Sequence, residues 1–583
     1  MKKPSEYTAL LRSLKREWKW LGRCAARYRV QILLYVAVGV LGTLMGLGAS
    51  VASKFLIDAV VGRESGPAAG AAAALVGLAV LKIIFNAASD RMTALVSTRA
   101  RNEIRSGVYE HILRARWDEA RTYHSGELLN RLEGDVGTVA GGVISYIPSV
   151  VARLTQFLGS FAIVFCYDPV MAVLALLSAP VLLLISRYTA RMVRKYSTES
   201  REMSGKVMSF EQESIQNLQT VKAFDLTDRY NGHFRELLEE YRTMQLSRER
   251  FSLRLAVGMS VLGLLISCFC YGWSVWRLWQ GTISFGTMTL FLQLAGTLTS
   301  SFSALASLAP KAISIATAAS RVMEIADLPQ ERDEDRQAAT ALGDAAGNCG
   351  LRIAAENVGY TYRDGTEPVL KNVSFVIEPG EKAAFVGPSG EGKTTLLRLL
   401  LGLMRPQNGR LTVSCPGGEP LDISDSTRRL CSYVPQVSAV FSGTVADNLR
   451  EVRPEATDEQ LREALEAAEA WSFIERAPDG LYAKFGERGT NFSEGQIQRI
   501  SIARALLRDA PVLIMDEATS ALDTETEKRV LRNITEGWPC RTCIIATHRP
   551  AVLRACDKVY RLDEKGGLTP ENPADGKEQV LEI

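Results

Sequence analysis

A chain of 583 residues exceeds the roughly 250 to 300 at which one hydrophobic core stops growing, so at least two domains are required. A net charge of +3 removes any global electrostatic pull toward nucleic acid, and 47% hydrophobic residues leave room for membrane segments. Ten cysteines in no repeating frame exclude a disulfide scaffold, and the Cys540, Cys543 pair lacks the second pair or the histidines that zinc needs.

Residues 1–28 mix Lys15, Arg16, Lys19, Arg23 and Arg27 with Trp18, Trp20 and Leu21, the pattern of an interfacial amphipathic helix and not of a signal peptide. From Val30 to Ser53 no charge interrupts the chain, a run longer than the roughly 18 residues that license a transmembrane helix. Further spans are expected at Ala69–Ala88, Ile147–Tyr167, Pro169–Ile185, Leu255–Trp276 and Thr282–Leu308, giving an all-α six-helix transmembrane domain over residues 29–325. Basic residues crowd the stretches 90–140 and 187–254, which places those loops and both termini in the cytosol, as in a multi-pass protein of the bacterial plasma (inner) membrane. Proline is absent from Ala68 to Ile147 and from Val181 to Ala309, so the spans are expected to continue below the membrane as two helical hairpins.

Two cations sit inside these spans, Lys82 in the second and Arg153 in the third. Thr289, Gln293, Thr297 and Ser300 form a polar stripe at helical spacing on the sixth. An ionisable residue within a membrane span is a functional candidate, so Lys82, Arg153, Gln293 and Thr297 define a candidate substrate cavity. The competing reading has both cations reaching the inner headgroups and contacting nothing transported.

The charged, small-residue stretch Pro329–Gly350 reads as a linker spanning 326–350. From Leu351 the pattern becomes β-rich and then alternates helices with apolar runs, as expected of an α/β domain over 351–564, and 565–583 reads as a flexible tail. Within it, Gly387-Pro388-Ser389-Gly390-Glu391-Gly392-Lys393-Thr394 fits the phosphate-loop pattern, with an apolar strand before it and a helix-like Thr395–Leu401 after it. The glycines turn backbone N–H groups toward phosphates at a helix N-terminus, Lys393 supplies a cation, and the Thr394 hydroxyl suits Mg²⁺. The apolar run Pro511–Met515 ends in Asp516-Glu517, where Asp516 can hold Mg²⁺ and Glu517 can orient or deprotonate a water.

Phe492-Ser493-Glu494-Gly495-Gln496 with Ile497-Gln498-Arg499 resembles the signature of ATP-binding cassette ATPases, and Tyr362, the run Tyr433-Val434-Pro435-Gln436, Ser520-Ala521-Leu522-Asp523 and Thr547-His548-Arg549 follow in that family's order. The resemblance covers nearly the whole chain. A six-span domain ahead of the ATPase resembles the exporter branch, as a half-transporter, and its coupling segments resemble Gly126-Glu127-Leu128 and Thr220-Val221-Lys222-Ala223-Phe224. The resemblance implies an α/β P-loop ATPase that uses ATP and Mg²⁺. ATP would meet Tyr362 through adenine stacking, Gly387, Ser389, Gly390, Gly392, Lys393, Thr394 and Thr395 around the phosphates, and Ser493, Gly495, Gln496 and Asp523 from a second half-transporter in a homodimer or heterodimer. Gln436 would sense Mg²⁺, and His548 would contact the γ-phosphate beside the catalytic Glu517. Glu494 stands where the family usually has glycine, and Lys484 where an acidic residue is common.

The resemblance implies export of a small molecule, peptide or lipid by alternating access, driven by ATP hydrolysis. An ATP-gated channel or regulator and an importer on the exporter fold share these motifs. A soluble ATPase acting on nucleic acid is excluded by six long apolar segments. The transported substrate is not encoded in any motif.

Overall fold

The computed structural model describes residues 16–172, 199–200, 203–332, 335–347, 349–363, 365, 367–388, 390–486 and 491–571. Their contacts form two units, the first of residues up to Ile112 with His124–Asp327, the second of Leu113–Tyr123 with Leu328 onward.

The first unit is helical. Its long elements are α1 (Arg29–Val61) and α2 (Ser65–Arg114). After α3 (Trp117–Ala120), which belongs to the second unit, come α4 (Ser125–Asn130), a π-turn at Arg131–Asp135 and α5 (Val136–Tyr167). The unit continues through α6 (Leu218–Ala223), α7 (Thr227–Trp279) and α8 (Phe285–Ala326). Four helices among the described residues are long and apolar enough to cross a membrane: Arg29–Val61, Ser65–Arg114, Ser125–Tyr167 and Phe285–Leu305. The expected fifth span, Leu255–Trp276, lies within α7. The expected fourth, Pro169–Ile185, falls almost wholly outside the described residues.

Helices α1, α5 and α8 pack together around Leu47, Val164, Phe291, Leu294 and Leu298. Close approach depends on small residues: a Cβ at Gly142 would meet Ile315 at 2.7 Å, and one at Gly159 would meet Leu47 at 2.5 Å. Leu33, Leu34, Val76, Val80, Ile83 and Ile84 are exposed, which suits a surface whose solvent is lipid. Asp168 pairs with Arg277 at 3.2 Å, and Lys54 pairs with Asp58 at 3.1 Å, where Asp58 also accepts from Gly286 N.

The second unit holds α9 (Arg336–Ala346) and then two sheets. Strands β1 (Arg352–Tyr360), β2 (Leu370–Ile377), β4 (Asn408–Ser414) and β5 (Leu421–Asp422) make an antiparallel sheet in the order β2-β1-β4-β5. The other sheet contains β3 (Lys382–Val386), β6 (Cys431–Val434), β7 (Val512–Asp516), β8 (Thr542–Ala546), β9 (Lys558–Leu562) and β10 (Leu568–Glu571), in the order β10-β9-β3-β8-β7-β6. All its pairings are parallel except β9 with β10. Alternate residues of the central strands enter different cores: Phe385, Ile514 and Ile544 face one, Val386, Met515 and Ile545 the other. Burial on both faces explains why these strands read as unbroken apolar runs.

Two stretches differ from expectation. The expected linker carries α9, which buries Ala339 and Ala346 and bonds Thr340 Oγ1 to Arg429 at 2.9 Å. Its alanines give it helix propensity and a small face that fits closely, since a Cβ at Gly343 would meet Leu430 at 3.0 Å. The stretch expected as a tail contributes β10, whose Leu568–Glu571 pair with β9 because Gly566 and Gly567 turn the chain back.

Candidate functional site

The parallel sheet sets the site. Phe385 of β3 and Asp516 of β7 both lie opposite Ala546 of β8, so the segments leaving these three strands emerge side by side. They are the phosphate loop, Asp516-Glu517, and Thr547-His548. Gln436 follows β6, which pairs with β7 through Val434 and Met515. This is the carboxyl edge at which ligands bind in doubly wound sheets.

The phosphate loop leads into α10 (Lys393–Leu400), capped by Gly392 at φ +100°. A side chain there would collide with Val369 Cγ1 at 2.9 Å, so both conformation and space require glycine. Lys393 is buried, and its Nζ donates to the carbonyls of Gly387 at 2.5 Å and Pro388 at 2.8 Å. The ammonium is thereby held inside the loop. Ser389 lies outside the described residues.

Asp516 is buried, and Thr394 Oγ1 donates to its Oδ1 at 3.4 Å. Burial raises its pKa above the usual carboxylate value, and Glu517 adds to the rise, while Thr394, Arg398 and Lys393 oppose it. Glu517 adopts φ +47°, a left-handed conformation that costs a non-glycine residue about 1–3 kcal/mol and is held by Glu517 N donating to Ala546 O at 2.9 Å. Gln436 Nε2 donates to Glu517 Oε2 at 3.0 Å, and His548 Nδ1 stands 3.7 Å from Glu517 Oε1. The donors Thr394, Asp516 and Gln436 offer hard oxygens, which suit a cation such as Mg²⁺.

The signature opens α11 (Glu494–Leu507). Ser493 caps it: Gln496 N donates to Ser493 Oγ at 3.3 Å, and Ser493 N donates to Gln496 Oε1 at 2.8 Å. Gly495 is fixed by proximity, since a Cβ would meet Ala521 O at 2.8 Å. Asp523 caps α12 (Thr524–Gly537) by accepting from Thr526 N at 3.0 Å. Ser493 and Glu494 are exposed.

Two groups of residues given no role by the motifs join this machinery. Gln498 is buried on α11. Its Nε2 donates to Glu517 O and Ser520 Oγ, each at 3.3 Å, and its Oε1 accepts from Ala521 N at 3.0 Å. Gln498 belongs to the signature string, but the string alone assigns it no role. The second group is the segment 113–123. Arg121 lies 4.8 Å over the Tyr362 ring, and Arg398 lies 4.9 Å over Trp117. Tyr362 OH shares a hydrogen bond with Thr395 at 3.0 Å and accepts from Arg398 at 3.4 Å. Burial raises the Tyr362 phenol, but these hydrogen bonds and the Arg398 charge outweigh it and hold its pKa below the usual tyrosine value. The Gly126-Glu127-Leu128 segment instead lies in α4 of the helical unit, where Glu127 pairs with Arg131 at 2.7 Å.

In the helical unit a cavity of about 420 Å³ is lined by Lys82, Arg153 and Thr297, with Asn86, Ser149 and Gln156 among its polar walls. Arg153 Nη1 donates to Gln156 Oε1 at 3.0 Å, and Lys82 packs across Gly46. Gln293 is one turn from Thr297 on α8 but is not part of the lining.

Residues 32–302 match the ABC transporter transmembrane region family, and residues 370–520 match the ABC transporter family. The chain is 31% identical over 456 residues to an ATP-dependent lipid A-core flippase of Chromobacterium violaceum, covering 76% of each chain. It is 30% identical over 490 residues to one of Methylococcus capsulatus, covering 83% of this chain and 80% of the relative. The fold matches the structure of a bacterial Atm1-family ABC exporter with ATP bound, at a TM-score of 0.78 and 22% identity, over 94% of this chain and 96% of that one.

Proposed function

The chain belongs to the ABC transporter family, with transmembrane region and ATPase fused as a half-transporter, and we propose that two copies of it export an amphiphile with an anionic headgroup. Membership makes it a multi-pass membrane protein in which ATP hydrolysis drives transport. The cavity that holds both Lys82 and Arg153 carries the reading of the substrate. Cations are costly inside a membrane domain, and an acidic headgroup offsets that cost while the substrate's apolar portion meets the remaining walls. Two relatives named for a lipid fit the same chemistry. The membrane is the bacterial inner membrane, with both termini cytosolic.

In the ATPase, Lys393 and the backbone N–H groups of the phosphate loop hold the β- and γ-phosphates, and Tyr362 stacks on adenine. Thr394, Asp516 and Gln436 hold Mg²⁺, which when bound neutralises charge on the phosphate oxygens. Glu517 accepts a proton from the attacking water, oriented by its bonds to Gln436 and Ala546. His548 donates to the γ-phosphate. Ser493, Gly495 and Gln496 are exposed or partly exposed at the start of α11, which leaves them free to complete the site of a second copy.

The test is ATPase stimulation in lipid nanodiscs by amphiphiles of equal chain length whose headgroups carry two, one or no negative charges. Stimulation is expected to rise with charge and to lose that order in the Lys82→Gln, Arg153→Gln double variant. Equal stimulation by all three in the native chain contradicts the substrate reading.

A further inference from the structure

We propose that Arg121 is a specificity-determining residue of the adenine site: it occupies the face of Tyr362 that a nucleotide base requires, so base stacking must displace it. The inference rests on reading Tyr362 as the adenine platform. Tyr362 is held on its other sides. Tyr360 packs nearly perpendicular to it, at 85° and 5.1 Å, and the phenol is bonded to Thr395 and Arg398. Part of Tyr362 packs on the core that contains Phe385 and Leu396. Arg121 itself is exposed, and its guanidinium lies 4.8 Å over the ring. A base that stacks on the face Arg121 covers has to displace it.

The contact is one edge of a closed cluster. Arg121 also lies 5.2 Å over Trp117, Trp117 receives Arg398 at 4.9 Å, and Arg398 returns to the Tyr362 hydroxyl at 3.4 Å. Arg398 lies on α10, the helix whose N-terminus forms the phosphate loop. Trp117 and Arg121 lie in the 113–123 segment, which joins two helices of the membrane unit in sequence. Loss of the Arg121 contact when adenine stacks therefore changes a segment whose two ends lead into that unit. Stacking on a base is stronger than an exposed cation–π contact, so adenine wins the ring, and Arg121 sets the threshold at which it does.

The test uses the full-length chain in nanodiscs without Mg²⁺, and measures affinity for ATP and for inorganic tripolyphosphate, which has no base. Arg121→Ala is expected to tighten ATP about two- to fivefold, the equivalent of one exposed cation–π contact, and to leave tripolyphosphate unchanged. Arg121→Lys, which keeps the charge but loses the planar stack, is expected to fall between. Unchanged or weakened ATP binding by Arg121→Ala overturns the proposal, as does an equal change for tripolyphosphate. Tyr362→Ala separates the underlying reading: if it leaves the preference for ATP over tripolyphosphate intact, Tyr362 is not the adenine platform.

Discussion

Gln436 and Glu517, 81 positions apart in the chain, meet through a 3.0 Å hydrogen bond at the carboxyl edge of the sheet. The bond exists because β6 and β7 are parallel neighbours, with Val434 at the end of β6 opposite Met515, one residue before the end of β7. It uses one oxygen of Glu517, while the other stands 3.7 Å from His548 Nδ1. A carboxylate so bracketed is aimed as well as placed.

Glu517→Gln keeps the side chain's size and removes the proton acceptor. Turnover is expected to fall about a hundred- to ten-thousandfold, the usual contribution of a general base, while ATP stays bound. Retention of radiolabelled ATP through rapid gel filtration checks this. A variant that hydrolyses at near-native rate assigns the base elsewhere.

Gln498 ties the signature helix to the strand end through three hydrogen bonds. Gln498→Leu leaves Ala521 N and Glu517 O without their partner, at a cost of about 1–3 kcal/mol. The unfolding temperature of the ATPase is expected to drop and hydrolysis to slow together. A variant that keeps both would reduce Gln498 to filler.

Asp516 has a folded pKa above its unfolded value of 3.8 because burial disfavours its charged form. The ionisation penalty is therefore absent below the unfolded pKa and grows as pH rises through the folded one. At pH 7 without metal, Asp516→Asn is expected to melt at or above the native temperature, and to lose the extra stabilisation that Mg²⁺ with ATP gives the native chain. A lower metal-free melting temperature for Asp516→Asn at pH 7 contradicts this account of the carboxylate.

The phosphate loop, Asp516-Glu517 and the signature were legible because each is a short local string whose chemistry depends on its own residues. Lys82 and Arg153 were legible because a cation stands out within an apolar span. Gln293 was grouped with Thr297 by helical spacing, but the cavity wall is set by which helices pack together, and Gln293 lies beyond it. The membership of Trp117 and Arg121 in the ATPase unit was not legible: it depends on stacking against Tyr362 and Arg398, hundreds of positions away, with no periodic signal. The α9 helix was hidden by a composition of small and charged residues that also suits a linker.

The proposed composite site draws on a second half-transporter, and Ser493 and Glu494 are exposed in the single chain. In Glu517→Gln with ATP and Mg²⁺, spin labels placed at exposed positions of the ATPase units are expected to show one short, narrow intersubunit distance. Units that stay apart at saturating nucleotide would instead require a different partner chain.

In the proposed function, ATP hydrolysis moves an anionic amphiphile through the cavity holding Lys82 and Arg153. The most direct test is ATP-dependent movement of fluorescent lipids in proteoliposomes, comparing an acidic headgroup with a neutral one on the same tails. The acidic lipid is expected to move only with ATP, Lys393→Ala to abolish the movement, and Lys82→Gln with Arg153→Gln to remove the preference over the neutral lipid. Equal movement of both lipids by the native chain, or none while ATP is hydrolysed at full rate, would contradict that function.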